Sequence, residues 1–326
     1  MKIGVALSGG GIRGAAHIGV LRAFEEAGIP IHMISGTSSG SIVASLYASG
    51  YTPREIERIF LKFGNEDIAD PDWGKTMPFM IDLMLFKRSR EREHLDLIDF
   101  DYLGVMVFIL NWIFRREGKI DGFIKGDALE NIVKKCCADK GIIILSQTVI
   151  PLAIPAVDIN TAQTVMFTSD KSLFKDTRDT IYIDDAEIWD AVRASAGFPV
   201  VFKPKMFRGR RLVDGGVTDN VPTKVLKSMG ADKVVAVNLG YSGQSKEEID
   251  NVFEIAAQSI DVMAYHLSKI TVADADYVIK PEIYDVKLLE TSRIRECIQR
   301  GYIQTNLAMP EIRRKLGLSN SYIKSV

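Results

Sequence analysis

Short apolar runs alternate with helical stretches from the first residues onward. Ile3-Gly-Val-Ala-Leu7 is apolar and stops at Ser8-Gly-Gly-Gly11. Apolar positions then recur at helical spacing, at Ala15, Ile18, Val20, Leu21, Phe24 and Ala27, and Gly28 and Pro30 close that helix. Ile31 to Ile34 is a second run ending at Gly36, and Ile42 to Ala48 is a second helix closed by Gly50. Strand, helix, strand, helix with short turns predicts an α/β fold: a mostly parallel central sheet flanked by crossover helices.

The rhythm returns after residue 150. Ile150–Asp158 and Ala162–Thr168 read as strands, Ile188–Ala196 as a helix, and Arg211–Val213 as a short strand ending at Asp214. Thr223–Met229 reads as a helix, Lys233–Asn238 as a strand, Val252–Ile270 as a long helix and Tyr277–Lys280 as a last strand. Ser292–Leu316 forms one or two final helices, followed by a frayed Asn320–Val326. Residues 62–125 show no such rhythm. They carry an apolar stretch from Phe79 to Phe86, a charged stretch from Lys87 to Glu93 and a second apolar stretch from Val105 to Phe114. We read them as a helical insertion, or cap, within one catalytic domain over 1–326.

Composition narrows the classes. Hydrophobic residues are 47% and charged residues 25%, ordinary for a globular chain and unlike a disordered or coiled-coil one. The net charge of −1 provides no global field for nucleic acid, so no nucleic-acid partner is expected. Three cysteines, Cys136, Cys137 and Cys297, are too few for a disulfide framework and fit a reducing compartment. The apolar runs fall short of the ~20 residues that cross a bilayer, and Arg13 and His17 interrupt any signal-peptide core. The expected location is the cytoplasm, with peripheral contact at a membrane.

Two glycine motifs compete to explain the N-terminal half. Gly9-Gly-Gly-Ile-Arg-Gly14 fits G-x-G-x-x-G between a strand and a helix, the context of a dinucleotide site. That site also needs an acidic residue at the end of the second strand, and Met33-Ile-Ser-Gly36 offers none. The second strand runs instead into Gly36-Thr-Ser-Ser-Gly40, which fits G-x-S-x-G, the elbow that carries a nucleophilic serine. Such a turn needs small flanking residues because its backbone is tight. Ser38 is then the nucleophile and Ser39 the helix N-cap. Adjacent strand–helix loops emerge at one edge of a parallel sheet, so the N–H groups of Gly9, Gly10 and Gly11 would form an oxyanion hole beside Ser38. Arg13 would brace that loop, a solvated arginine being the alternative.

The base is harder to read. His17 lies inside the first helix, His32 on the second strand and His94 in a charged stretch. His266 follows late, on a long helix among Val262, Met263 and Leu267, where a core or surface histidine is the simpler reading. Asp214 ends a strand and is followed by Gly215 and Gly216, which allow a close turn. A partly buried carboxylate can take a serine proton because burial raises its pKa. On spacing alone, an Asx-type β-turn is the simpler reading of Asp-Gly-Gly. Asp219 reads as structural, together with Asn220.

Four blocks in order resemble the patatin-like phospholipases, with bacterial-type members in mind. They are Gly9–Gly14 with His17–Leu21, Gly36–Gly40, Ala194-Ser-Ala-Gly-Phe-Pro-Val-Val-Phe-Lys-Pro204 and Asp214-Gly-Gly-Val-Thr-Asp-Asn-Val-Pro222. The resemblance implies a serine lipid acyl hydrolase working through a Ser–Asp dyad and an acyl-enzyme. Ser38 would be the nucleophile and Asp214 the base. Gly9, Gly10 and Gly11 would line the oxyanion hole, with Arg13, Gly14, Gly36, Gly40, Gly215 and Gly216 as loop support. It implies no cofactor and no metal. The implied partner is a phospholipid or other acyl-ester lipid, reached through residues 79–116. There Trp112 and the basic residues Lys87, Arg88, Arg90 and Arg92 suit an interface, and a packed cap helix is the alternative. A transacylase using the same dyad, and a non-catalytic lipid-binding regulator on this fold, are the rival functions.

Overall fold

The computed structural model describes residues 1–62, 70, 121–199, 201–240, 252–287 and 290–319. The 62–125 insertion, including the 79–116 stretch expected to meet lipid, lies almost wholly outside the described residues, as do Asn320–Val326. Among the described residues no helix is long and apolar enough to cross a membrane.

β1 (Ile3–Leu7) lies inside the sheet, paired in parallel with β2 (Met33–Gly36) on one side and β8 (Lys233–Val237) on the other. Helices cover both faces, so every residue of β1 is buried, which is why the strand reads as a continuous apolar run. β9 (Tyr277–Ile279) extends the sheet in parallel beyond β8. β3 (Leu152–Asp158) runs parallel to β2, but β4 (Thr164–Thr168) turns back antiparallel to it, with β5 (Thr180–Ile183) parallel to β4. The expected strand at 162–168 starts two residues late because Ala162, at φ 58°, belongs to the preceding turn.

The pairing of β3 brings the two motif regions together. Its first residues pair with β2, Ser35 opposite Ala153. Farther along the same edge its partner is β7 (Arg210–Asp214), antiparallel, with Asp214 opposite Ala156 and β6 (Lys205–Phe207) hairpinned outside it. β2 and β7 therefore run toward each other, end to end, along one side of β3. The elbow after β2 and the turn after β7 share the small gap between their ends.

Helix α1 (Ala16–Glu26) packs against α8 (Ile294–Leu316), a single helix that continues through Pro310. The two come so close that a Cβ on Gly19 would sit 2.0 Å from the Ile298 carbonyl oxygen, and one on Gly301 2.1 Å from that of Ala16. α2 (Ser39–Ala48) follows β2. α3 (Pro53–Phe60) starts at a Thr52–Glu55 capping box with proline in its first turn. The other α-helices among the described residues are α4 (Asp127–Asp139), α5 (Ile188–Ser195), α6 (Thr223–Ser228) and α7 (Val252–Thr271). Leu7, Phe24, Ile34, Leu46, Leu152 and Phe167 are fully buried in the core these layers enclose.

Candidate active site

Only Thr37 and Ser38 separate β2 from α2, so the chain reverses from strand to helix in a very short turn. Ser38 takes φ 53° and ψ −125° to do so. A non-glycine residue in such a region costs about 1–3 kcal/mol and persists only where its surroundings hold it. They do here: the Ser38 N–H donates to Ser195 Oγ at 3.0 Å, and its carbonyl accepts from the Ser41 N–H at 2.9 Å and the Ser41 hydroxyl at 2.5 Å. Thr37 donates its N–H to Leu7 O at 3.0 Å and its hydroxyl to Asp219 O at 2.8 Å. Gly36 and Gly40 pack against each other, and a Cβ on Gly40 would lie 2.5 Å from the Leu7 carbonyl oxygen. Within Gly36–Ser41 only Ser38 is partly exposed.

One expectation is corrected at this turn. Ser38, not Ser39, occupies the N-cap position, because the turn is too short to place the non-helical residue any later. The Ser38 side chain makes no capping bond. Ser39 is the first helical residue, and its buried hydroxyl, packed against Gly14, has no hydrogen-bond partner among the described residues.

The glycine loop lies beside this turn. A Cβ on Gly9 would fall 3.0 Å from Ser38 Cβ, so backbone and elbow are in contact. Gly11 has φ 58°, which favours glycine, and leads into the short helical turn Gly11–Ala15 ahead of α1. The three N–H groups are not equivalent. Gly9 N–H is directed at Asn220, 3.2 Å from Oδ1 and 3.3 Å from the backbone oxygen. The N–H groups of Gly10 and Gly11 meet no acceptor among the described residues, and both glycines are partly exposed. Arg13 is buried; its Nε donates to Val286 O at 2.7 Å and Nη2 to Tyr284 O at 3.4 Å. It ties the loop to the segment before α8, and the solvated alternative does not hold.

Asp214 ends β7 with 3% of its surface exposed. Burial raises its pKa to about 6, against the opposing pull of a hydrogen bond from Gly216 N–H and of the nearby Ser38 hydroxyl. The Gly216 N–H reaches Oδ1 at 2.8 Å. The second oxygen, Oδ2, is buried with no hydrogen-bond partner among the described residues, while the Ser38 hydroxyl acts on the carboxylate and pulls its pKa down against burial. Gly215 lies against the Pro155 carbonyl and lets the turn fold back onto β3.

The histidines stand elsewhere. His17 is buried with Nε2 2.8 Å from Ser8 O, and burial pulls its pKa to about 4 even though that carbonyl raises it. His32 Nδ1 accepts from Ile3 N–H at 3.1 Å, His266 is exposed on α7, and His94 lies outside the described residues. Asp219 is half-buried: desolvation raises its pKa to about 6, against a bond from Val221 N–H and the charge of Lys224.

Two contributors were not legible in the sequence. Ser195 and Gly197 belong to the block 194–204, to which the motif reading assigned no role. Ser195 holds the Ser38 N–H, and Gly197 O accepts the Asp214 N–H at 3.0 Å. The end of α5 and the turn that follows it thus fix the backbone of both Ser38 and Asp214. The other contributor is Asn220, through its grip on Gly9. Both act through pairs distant along the chain, for which local spacing carries no signal.

The family model for patatin-like phospholipase matches residues 5–227, a stretch that includes the elbow, the glycine loop and the Asp214 turn. This chain belongs to the patatin-like phospholipase family. Among curated relatives it is 28% identical over 240 residues to lysophospholipase NTE1 of Mycosarcoma maydis. It is also 28% identical over 252 residues to patatin-like phospholipase domain-containing protein 6 of Mus musculus. These alignments cover 74% and 76% of this chain but only 10% and 14% of the relatives, so the chain spans a small part of their length. Among solved structures, VipD from Legionella pneumophila is similar with a TM-score of 0.45 and 15% identity over 95% of this chain and 67% of that one. Human GIVD cytosolic phospholipase A2 in complex with methyl gamma-linolenyl fluorophosphonate gives 0.41 and 12% over 97% and 59%.

Proposed function

We propose that this family member is a serine lipid acyl hydrolase, a carboxylic ester hydrolase acting on phospholipids or lysophospholipids through a Ser38–Asp214 dyad. The observation that carries this reading is the pairing of a strained, partly exposed Ser38 with the buried Asp214 carboxylate, on which its hydroxyl acts. Names of relatives as phospholipase and lysophospholipase support the substrate class.

In this mechanism Ser38 Oγ attacks the ester carbonyl carbon while Asp214 takes the hydroxyl proton. A pKa of about 6 leaves Asp214 mostly ionised at neutral pH, yet basic enough to accept that proton. The tetrahedral oxyanion is met by the free N–H groups of Gly10 and Gly11, with Gly9 supporting the loop. Such donors contribute about 3–4 kcal/mol each to the transition state. The positive end of α2 adds to the field at Ser38. The C–O bond then breaks, the leaving alcohol takes the proton from Asp214, and an acyl-enzyme remains. Water, deprotonated by Asp214, attacks the acyl group; the Ser38 C–O bond then breaks, Asp214 returns the proton to Ser38 Oγ, and the fatty acid leaves.

The test is covalent labelling with a fluorophosphonate, read by intact mass. One adduct on the wild type and none on Ser38→Ala is the expected result. Labelling that persists on Ser38→Ala would overturn the assignment.

A further inference from the structure

We propose that Asn220 is a positioning residue that selects which glycine N–H groups serve the oxyanion; this rests on the dyad reading above. The first ground is its location. Asn220 is 7% exposed and belongs to the Asp219–Asn220 segment, which touches all three parts of the site. Asp219 O receives the Thr37 hydroxyl, one residue before Ser38. Asn220 receives Gly9 N–H with both its side-chain and backbone oxygens. A Cβ on Gly216 would lie 3.1 Å from Asn220 Oδ1 and 3.1 Å from Asp214 Oδ1, so the carboxamide and the carboxylate flank the same glycine.

The second ground is what this does to the donors. A peptide N–H already bonded to a buried acceptor is not free for a passing oxyanion. Gly9 N–H is held in this way, and holding it fixes the rotation of the following peptides. Gly10 and Gly11 keep N–H groups that meet no acceptor among the described residues. The hole is then a two-donor hole in which Gly9 is the anchor. Leu239 supports the same loop from the other side: its N–H donates to Ser8 Oγ at 2.8 Å, and its side chain packs on Gly10.

The third ground is the choice of an amide. An aspartate at 220 would offer the same acceptor but place a second negative charge close to Asp214. Two like charges that near one another raise the pKa of at least one of them. A neutral carboxamide anchors the loop and leaves the base at its working pKa.

The experiment uses the full chain, two variants and a chromogenic acyl ester. In Asn220→Ala the side-chain half of the anchor is lost and only the backbone oxygen of residue 220 remains for the Gly9 N–H, and kcat falls 10- to 100-fold with KM changed less than threefold. Hydrogen exchange at the Gly9 amide, read by NMR, accelerates at least tenfold. In Asn220→Asp the acceptor remains, so Gly9 stays protected, while the acid limb of the pH–rate profile moves upward. A purely structural role would instead lower the thermal midpoint and raise KM along with any loss of kcat. That pattern, or unchanged Gly9 exchange in folded Asn220→Ala, would overturn the proposal. Gly9 exchange can also be read in Ser38→Ala, so an error in the dyad would not be mistaken for an error about the anchor.

Discussion

Two aspartates at opposite edges of the sheet show how one side chain is given contrary properties. Asp276 precedes β9 at the edge where the parallel strands begin. Burial there would raise its pKa, but hydrogen bonds from Lys233 at 2.8 Å, Lys227 at 2.9 Å and Val234 N–H at 2.9 Å outweigh it and bring the value to about 2. Asp214 lies at the edge where β1 and β2 end, with no ion-pair partner among the described residues, and its pKa rises to about 6. At one edge the fold neutralises a carboxylate with flexible lysines; at the other it desolvates one beside a hydroxyl. On the dyad reading, the chemistry sits where countercharge has been withheld.

Removing the withheld-charge group should have the largest effect. Asp214→Asn is expected to lower kcat by at least three orders of magnitude in a steady-state ester assay. Near-wild-type turnover in that variant, with His266→Ala inactive, would restore a histidine base and dissolve the contrast.

The same substitution should stabilise the fold. The folded pKa of Asp214 is raised, so the unfolded chain gives up its proton at lower pH than the native protein does. Stability linked to this group is intact below about pH 4 and is lost as pH rises through about 6. Asp214→Asn should therefore gain up to roughly 3 kcal/mol at pH 8 and nothing at pH 4. Thermal melts at the two pH values measure it, and an equal shift at both would sink the account.

Asp276 should behave with the opposite sign and a smaller size. Its lowered pKa contributes stability above the unfolded value, a contribution lost as pH falls toward 2. The side chain is 21% exposed and its lysine partners 34%, so solvent screening limits Asp276→Asn to about 1 kcal/mol of destabilisation at pH 7. Urea midpoints at pH 7 and pH 3 should show the gap closing in acid.

Much of this arrangement was readable because glycines punctuate it. Gly9–Gly11, Gly36, Gly40, Gly215 and Gly216 mark the ends of β1, β2 and β7, and each strand end holds a piece of the site. α4 was not read, although Leu129, Val133, Cys136 and Cys137 form its buried stripe. Half of that stripe is cysteine, which the sequence reading weighed for redox chemistry and not as an apolar face. β5 and β6 are short, partly exposed strands with weak alternation, so they too passed unread. Asn220 and Ser195 act on residues far away in sequence, a relation that only the tertiary fold creates.

The long-range closure of the fold has a kinetic consequence. Arg313 Nη1 donates to Ala27 O across 286 positions, and Leu239 N–H to Ser8 Oγ across 231. The first strand and helix therefore leave the ribosome well before β8 and α8, which complete their packing, have been made. Their apolar surface must wait, a liability in chains dominated by distant contacts. Ser38 likewise emerges long before Asp214 and Asn220. On the dyad reading, a nascent chain carries no working esterase until synthesis has passed Asn220.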